Sequence, residues 1–209
     1  MKQGSTLIAA LLDRSGSMSF IQKDTEGGFN AFIEDQKEQP GTAEVTLSQF
    51  DTEYERVYSN VPISDVPRFE LKPRGGTALV DGIGRLVTEV GEELAARDES
   101  ERPETVIVVV MTDGHENSSQ EWSADKVKEL VKQQTDVYKW KFVFLGANID
   151  AVEVGGQYGF AANNSMTYGA NTRGVTATFN TASGLLNTYR GGADYAEFTD
   201  AERSAALGE

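Results

Sequence analysis

The chain has 209 residues, with 19 Lys and Arg against 33 Asp and Glu, a formal net charge of −14 and no cysteine. That length suits one domain, large enough to bury roughly 70% of its unfolded surface. The missing cysteines exclude a disulfide framework, a thiolate zinc site and a Cys nucleophile, and the acidity argues against a nucleic-acid backbone or an anionic membrane as the main partner.

The run from Thr6 to Leu12 is apolar and uninterrupted, as in a central parallel strand covered on both faces. It is too short to span a membrane, and no small-residue cleavage site follows it, so a cytoplasmic chain is expected. Phe29, Phe32 and Ile33, with Ile21 upstream, have helical spacing, and Pro40-Gly41 ends that helix. Val45 to Phe50 and Glu53 to Tyr58 read as two strands joined in a hairpin through Asp51-Thr52. Gly75-Gly76-Thr77 opens a long helix whose stripe is Leu79, Ile83, Leu86, Val87, Val90 and Leu94. A polar loop from Arg97 to Pro103 follows.

Thr105 to Met111 is β-branched and unbroken, so it is a second central strand, ended by Thr112-Asp113-Gly114. Ser118 to Glu121 has capping-box spacing and predicts the start of a helix that carries Val127, Leu130 and Val131. Lys141 to Leu145 reads as a strand, Ile149 to Tyr158 as a helix, Ser165 to Tyr168 as an edge strand and Thr176 to Tyr189 as a last helix. Residues 1–190 form the expected domain, and 191–209 the expected polar, mobile tail. Strands alternating with helices predict an α/β fold, a doubly wound and mostly parallel sheet with helices on both faces. Ligands bind such sheets beyond the carboxyl ends of the strands. Asp13 and Asp113 stand at that place, each after one of the two central strands.

Three loops gather the chemistry: Asp13-Arg14-Ser15-Gly16-Ser17, Gly75-Gly76-Thr77 and Thr112-Asp113-Gly114. Asp13, Ser15, Ser17, Thr77 and Asp113 offer two carboxylates and three hydroxyls, all oxygen donors, which suit a hard cation: Mg²⁺ first, with Mn²⁺ or Ca²⁺ as alternatives. Two carboxylates just neutralise a divalent ion, so the ion keeps electrophilic character and accepts a further anionic ligand. An Asp or Glu of a partner protein is the natural candidate.

With those residues in view, the chain resembles the von Willebrand factor A (VWA) domains. Asp13-x-Ser15-x-Ser17, Thr77 and Asp113 match all five positions of their metal-ion-dependent adhesion site (MIDAS), in order, and the sequences around them are close to bacterial members. The resemblance covers about Ser5 to Tyr189. It implies a Rossmann-like sheet of six strands with one antiparallel edge strand. It also implies that Ser15, Ser17 and Thr77 ligate the metal, and that Asp13 and Asp113 contact it directly or through water. Members are mostly binding modules and not enzymes. Intracellular bacterial members often work with AAA-type ATPases or in stress, chelatase or surface-assembly systems.

Two other functions are compatible with these residues: a structural or assembly component, for example of a phage or other particle, with an incidental metal site, and a metal-assisted hydrolase. A virion location goes with the first. Against the second, the place two residues after Asp13 holds Ser15 where an aspartate-nucleophile phosphatase has a second Asp, and no Gly-x-Ser-x-Gly elbow occurs. A triad would rest on His115, the one histidine, and no second histidine follows it at zincin spacing. Arg14 and Arg74 flank the loops, either as solvated side chains or as attractors for an acidic partner. Trp122 and Trp140 read as packing residues, and the acids from Glu92 to Glu104 as a solvated face.

Overall fold

Strands β1 (Lys2–Asp13), β2 (Thr42–Phe50), β3 (Tyr54–Pro62), β4 (Pro103–Thr112), β5 (Lys141–Ala147) and β6 (Ser165–Tyr168) form one sheet in the order β3-β2-β1-β4-β5-β6. The computed structural model of the chain describes residues 1–208. Only β3 runs antiparallel, and it forms one edge as the hairpin partner of β2. Helices α1 (Gln22–Lys37), α2 (Leu79–Ala96), α3 (Ala124–Tyr138), α4 (Ala151–Gln157), α5 (Thr172–Arg190) and α6 (Asp200–Leu207) complete the chain. Among the described residues no helix is long and apolar enough to cross a membrane.

Alternation along the central strands splits the core into two layers. Ile8, Ala10 and Leu12 of β1 and Ile107, Val109 and Met111 of β4 pack with α1 and α5. Leu7, Ala9 and Leu11 of β1 and Val106, Val108 and Val110 of β4 pack with α2, α3 and α4. Both strands are therefore apolar on both faces from Leu7 to Leu12 and from Val106 to Met111, which is why they read as unbroken runs. The sheet grows from β1 toward β2 and from β4 toward β5, so the strand order reverses between β1 and β4. Leu12 stands opposite Met111, and this register brings Asp13 level with Thr112 where both chains leave the sheet. The crevice at such a reversal is the usual ligand position in open α/β sheets.

Three expectations need correction. The spacing at Ser118 to Glu121 is not a helix start. Helix α3 begins at Ala124 with Ser123 as its cap, accepting from Lys126 N at 3.4 Å. Glu121 instead holds Arg85, whose Nε donates at 2.8 Å, while Ser119 Oγ donates to Glu116 Oε2 at 2.7 Å and accepts from Asp81 N at 3.0 Å. The second correction concerns residues 191–208, where a mobile polar tail is expected; Glu209 lies outside the described residues. The chain there turns back over the β6 edge. Thr199 and Glu202 form a capping box that starts α6, and Phe198 and Ala206 are buried. Arg203 Nη1 donates to the Ser165 carbonyl at 2.6 Å, and Gly169 N donates to the Ala206 carbonyl at 2.9 Å. A single buried apolar residue, Ala206, on an eight-residue helix gives no periodicity to be seen in sequence. Helix α5 also starts earlier than Thr176, because the Asn171 side chain caps it by accepting from Gly174 N at 2.9 Å.

The terminal segment is thus part of the fold. Phe198→Ala is expected to lower unfolding stability by about 3 kcal/mol, the usual cost of deleting a buried ring. Urea unfolding followed by circular dichroism measures it, and a cost near zero would return this segment to the status of a tail.

Candidate metal centre

All five sequence-selected side chains come from loops at the carboxyl ends of β1 and β4 and from the entry to α2. Asp13, the last residue of β1, is 0% exposed, and Ser15 and Thr77 are also buried. Each Asp13 oxygen accepts one hydrogen bond: Oδ1 from Ser15 N at 2.6 Å and Oδ2 from Thr112 Oγ1 at 2.5 Å. Ser15 Oγ lies 3.0 Å from Ser17 Oγ, and Ser17 Oγ donates to Asp113 Oδ1 at 2.7 Å. A chain of oxygens therefore runs from the buried carboxylate to Asp113, which is half-buried beside the exposed Ser17. Thr77 faces the same point, since a Cβ placed on Gly114 would lie 3.4 Å from Thr77 Oγ1 and 3.9 Å from Ser17 Oγ.

The three loops are tied to one another by groups that are not candidate ligands. Arg14 N donates to the Phe50 carbonyl, Arg74 N to the Arg14 carbonyl, Gly16 N to the Gly75 carbonyl and Ala78 N to the Asp51 carbonyl. Asp51, 1% exposed, accepts from Arg14 Nε and Arg74 Nε on the same Oδ2, each at 2.7 Å. Burial raises the Asp51 carboxyl, but the hydrogen bonds from Arg74, the Glu53 amide and Arg14 outweigh it and hold the group below the ordinary carboxylate value. The start of α2 has no cap of its own. The loop after Asp113 supplies one: Asn117 Oδ1 accepts from Thr77 N at 2.9 Å and Glu116 Oε2 from Val80 N at 2.8 Å. Acidic and amide oxygens at a helix start satisfy its free amides and complement its dipole. In return Asp81 accepts from the amides of Gln120, Glu121 and Trp122. A Cβ at Gly76 would lie 2.3 Å from Ser118 Oγ and 2.9 Å from Asn117 Oδ1, so a larger residue would push these side chains, including the one that caps α2, out of place.

Charge sets the character of the centre. Burial pushes the Asp13 carboxyl up to about 6, against the hydrogen bonds from Thr112 and Ser15, and the neighbouring Asp113 adds to the rise. Asp113 is raised too, chiefly by burial, with Ser17 opposing. Among the described residues no Lys, Arg or His forms an ion pair with either aspartate, whereas Asp51 nearby has two arginines. Nor do three His, Cys, Asp or Glu side chains converge anywhere among those residues. A buried carboxylate, a second carboxylate facing it and hydroxyls between them fit a hard divalent cation, which would supply the missing positive charge.

Some residues that shape the centre lie outside the five candidate ligands. Thr112, Asn117, Asp51, Glu116 and Asp81 all shape the centre, yet they lie off the five-residue motif; the one signal was the density of Asp, Glu, Ser and Asn in the loops. Arg14 and Arg74 are not free to attract a partner. Arg14 is buried against Asp51 and Glu55, and Arg74 reaches Asp51 and Glu53. His115 is exposed. Trp140 is buried in the core, and Trp122 covers Gly84, where a Cβ would meet its ring at 2.3 Å.

No protein-family model matches the sequence, and no curated protein matches it either. Solved structures do. Proximal thread matrix protein 1 from the mussel byssus, in a structure with a zinc-occupied MIDAS motif, is similar with a TM-score of 0.63 and 14% identity, over 88% of this chain and 46% of that chain. The fold is that of a VWA domain. The von Willebrand factor domain of Mfa5, a type V pili tip protein of Porphyromonas gingivalis, gives 0.59 and 12% over 94% of this chain and 98% of that one. VWA2, the ArnB paralog of Sulfolobus acidocaldarius, gives 0.55 and 15% over 86% and 44%. This chain spans a little under half the length of the mussel and Sulfolobus proteins, and at these identities the likeness is one of fold.

The buried acid has a consequence for stability. The folded chain keeps a proton on Asp13 that the unfolded chain gives up, so in EDTA this residue favours folding at low pH. Its contribution is lost as pH rises from 3.8 through about 6, amounting to about 3 kcal/mol over two pH units. Asp13→Asn is expected to match the wild type near pH 4 and to exceed it in EDTA at neutral pH by up to that amount. Parallel Tm curves for the two proteins would contradict this. Asp51→Asn, which strips Arg14 and Arg74 of their shared carboxylate, is expected to cost about 3 kcal/mol in urea unfolding.

Proposed function

We propose that the chain is a metal-dependent protein-binding module in which Asp13, Ser15, Ser17, Thr77 and Asp113 hold a divalent cation, Mg²⁺ foremost, for contact with an Asp or Glu of a partner protein. The observation that carries this reading is the division of the centre into a buried floor and an open rim. Asp13 has no cationic partner and is fixed on both oxygens, whereas Ser17 and Asp113 reach solvent. A cation bound here would supply an electrophilic position for one further oxygen ligand.

The protein's own residues divide the work. Asp13 and Asp113 bring charge that just offsets a divalent ion, leaving no excess that would repel an incoming carboxylate. Ser15, Ser17 and Thr77 add donors without charge. Thr112 fixes the Asp13 carboxylate, in the way that outer partners orient metal-binding carboxylates. The zinc in the mussel protein's MIDAS motif supports a metal at this place in the fold. The metal-assisted hydrolase stays the lesser reading on sequence grounds, because the place two residues after Asp13 holds Ser15 and no Gly-x-Ser-x-Gly elbow occurs. The partner we propose is a protein with an exposed acid, an assembly component or an AAA-type ATPase being the kinds that the resemblance suggests, met in the cytoplasm.

Calorimetric titration with MgCl₂ tests the centre. Wild-type protein is expected to bind one ion, and Asp113→Ala and Thr77→Ala to lose measurable binding. Thr112→Val is expected to bind about 10- to 100-fold more weakly, as when an outer-shell partner is removed. Unchanged affinity in Asp113→Ala and Thr77→Ala would end the proposal.

A further inference from the structure

Phe20 is 89% exposed, the most exposed large apolar side chain among the described residues. It ends the short 3₁₀ turn Gly16–Phe20 that follows Ser15. This turn is not loose. Met18 and Ile21 on either side of the exposed Ser19 and Phe20 are buried at 0% and 1%. Met18 N donates to the Ser15 carbonyl and Ile21 N to the Met18 carbonyl, both at 3.1 Å. The backbone therefore holds the ring out in water, where it forgoes the transfer free energy that burial would give.

A depression of about 410 Å³ lies between Phe20 and the metal centre, walled by Ser17, Phe20, Ile21, Asp113, Asn148 and Ala170. It shares Ser17 and Asp113 with the centre, so a chain that presents a carboxylate to the ion passes along its edge. The far wall is fixed as well: Asn148 N donates to the Tyr168 carbonyl at 2.9 Å, and Asn148 Oδ1 accepts from Ala170 N at 3.3 Å. No cationic side chain lines the depression, so it offers no counter-charge to a second acid. Its volume is in the range of small-ligand pockets. An exposed aromatic on a fixed backbone beside a polar anchor point is one way binding energy is concentrated at recognition sites.

We infer that the partner segment carries a large apolar side chain within a few residues of its metal-binding Asp or Glu, and that Phe20 and the adjoining depression receive it. This rests on the metal-bridged function proposed above and names the kind of sequence that the site selects.

A random peptide library displayed on phage, panned on the wild-type protein in MgCl₂ and eluted with EDTA, provides the test, with Phe20→Ser and Asp113→Ala panned in parallel. Wild-type protein is expected to yield peptides with an Asp or Glu close to Phe, Tyr, Trp, Leu, Ile or Met, and Asp113→Ala to yield none. A synthetic peptide of that consensus is expected to bind Phe20→Ser about tenfold or more weakly, while calorimetry shows wild-type Mg²⁺ affinity in the same variant. An acidic consensus with no apolar neighbour, or equal binding to Phe20→Ser, overturns the inference and leaves the metal-bridged function standing. A selection with no acidic, EDTA-released consensus overturns that function and the inference with it.

Discussion

The carboxyl edge of this sheet is built around a carboxylate taken out of water. Asp13 ends the central strand, fully buried, with one neutral donor on each oxygen and another acid across from it. Burying such a group without a counter-charge is costly, and proteins normally avoid it by pairing, protonation or a metal. The pairing is withheld here although cations are near. Arg14 is the next residue, yet its guanidinium points back to Asp51 and Glu55. The fold thus keeps arginine away from the one position where a metal would need room, and leaves the carboxylate to protonate or to find a cation from solution.

That arrangement requires three loops from distant parts of the sequence to hold their relative positions. The parallel register of β1 on β4 supplies the first constraint, since it fixes Asp13 beside Thr112. Buried Asp51 supplies the second by clamping Arg14 and Arg74. The third is the exchange of caps in which Glu116 and Asn117 serve the start of α2 and Asp81 serves the loop before α3. The acidity of the chain is in this respect partly structural. Asp51, Asp81 and Glu116 satisfy arginines or backbone amides within the loop cluster.

The sheet was legible in the sequence because its physics is local. Both central strands are buried on two faces and read as unbroken apolar runs, and the α2 stripe has a clean helical period. The five candidate ligands were legible because the oxygens that a hard cation needs are confined to a few residue types, placed where chain direction demands. Contacts without a period were not legible. Nothing at Ser118 to Glu121 distinguishes a capping box from a loop whose acid binds Arg85, and nothing at Phe198 or Ala206 announces burial. Asp51 looked like a turn residue, and in the structure it is the hinge-pin of the loop cluster.

The central claim is that these oxygens form one cation site. Crystals soaked in MnCl₂ and measured at the manganese absorption edge test it most directly. The account expects a single strong anomalous peak among Asp13, Ser15, Ser17, Thr77 and Asp113, and none in crystals of Asp113→Ala. A map with no peak there, or with manganese bound only to surface acids elsewhere, would contradict it.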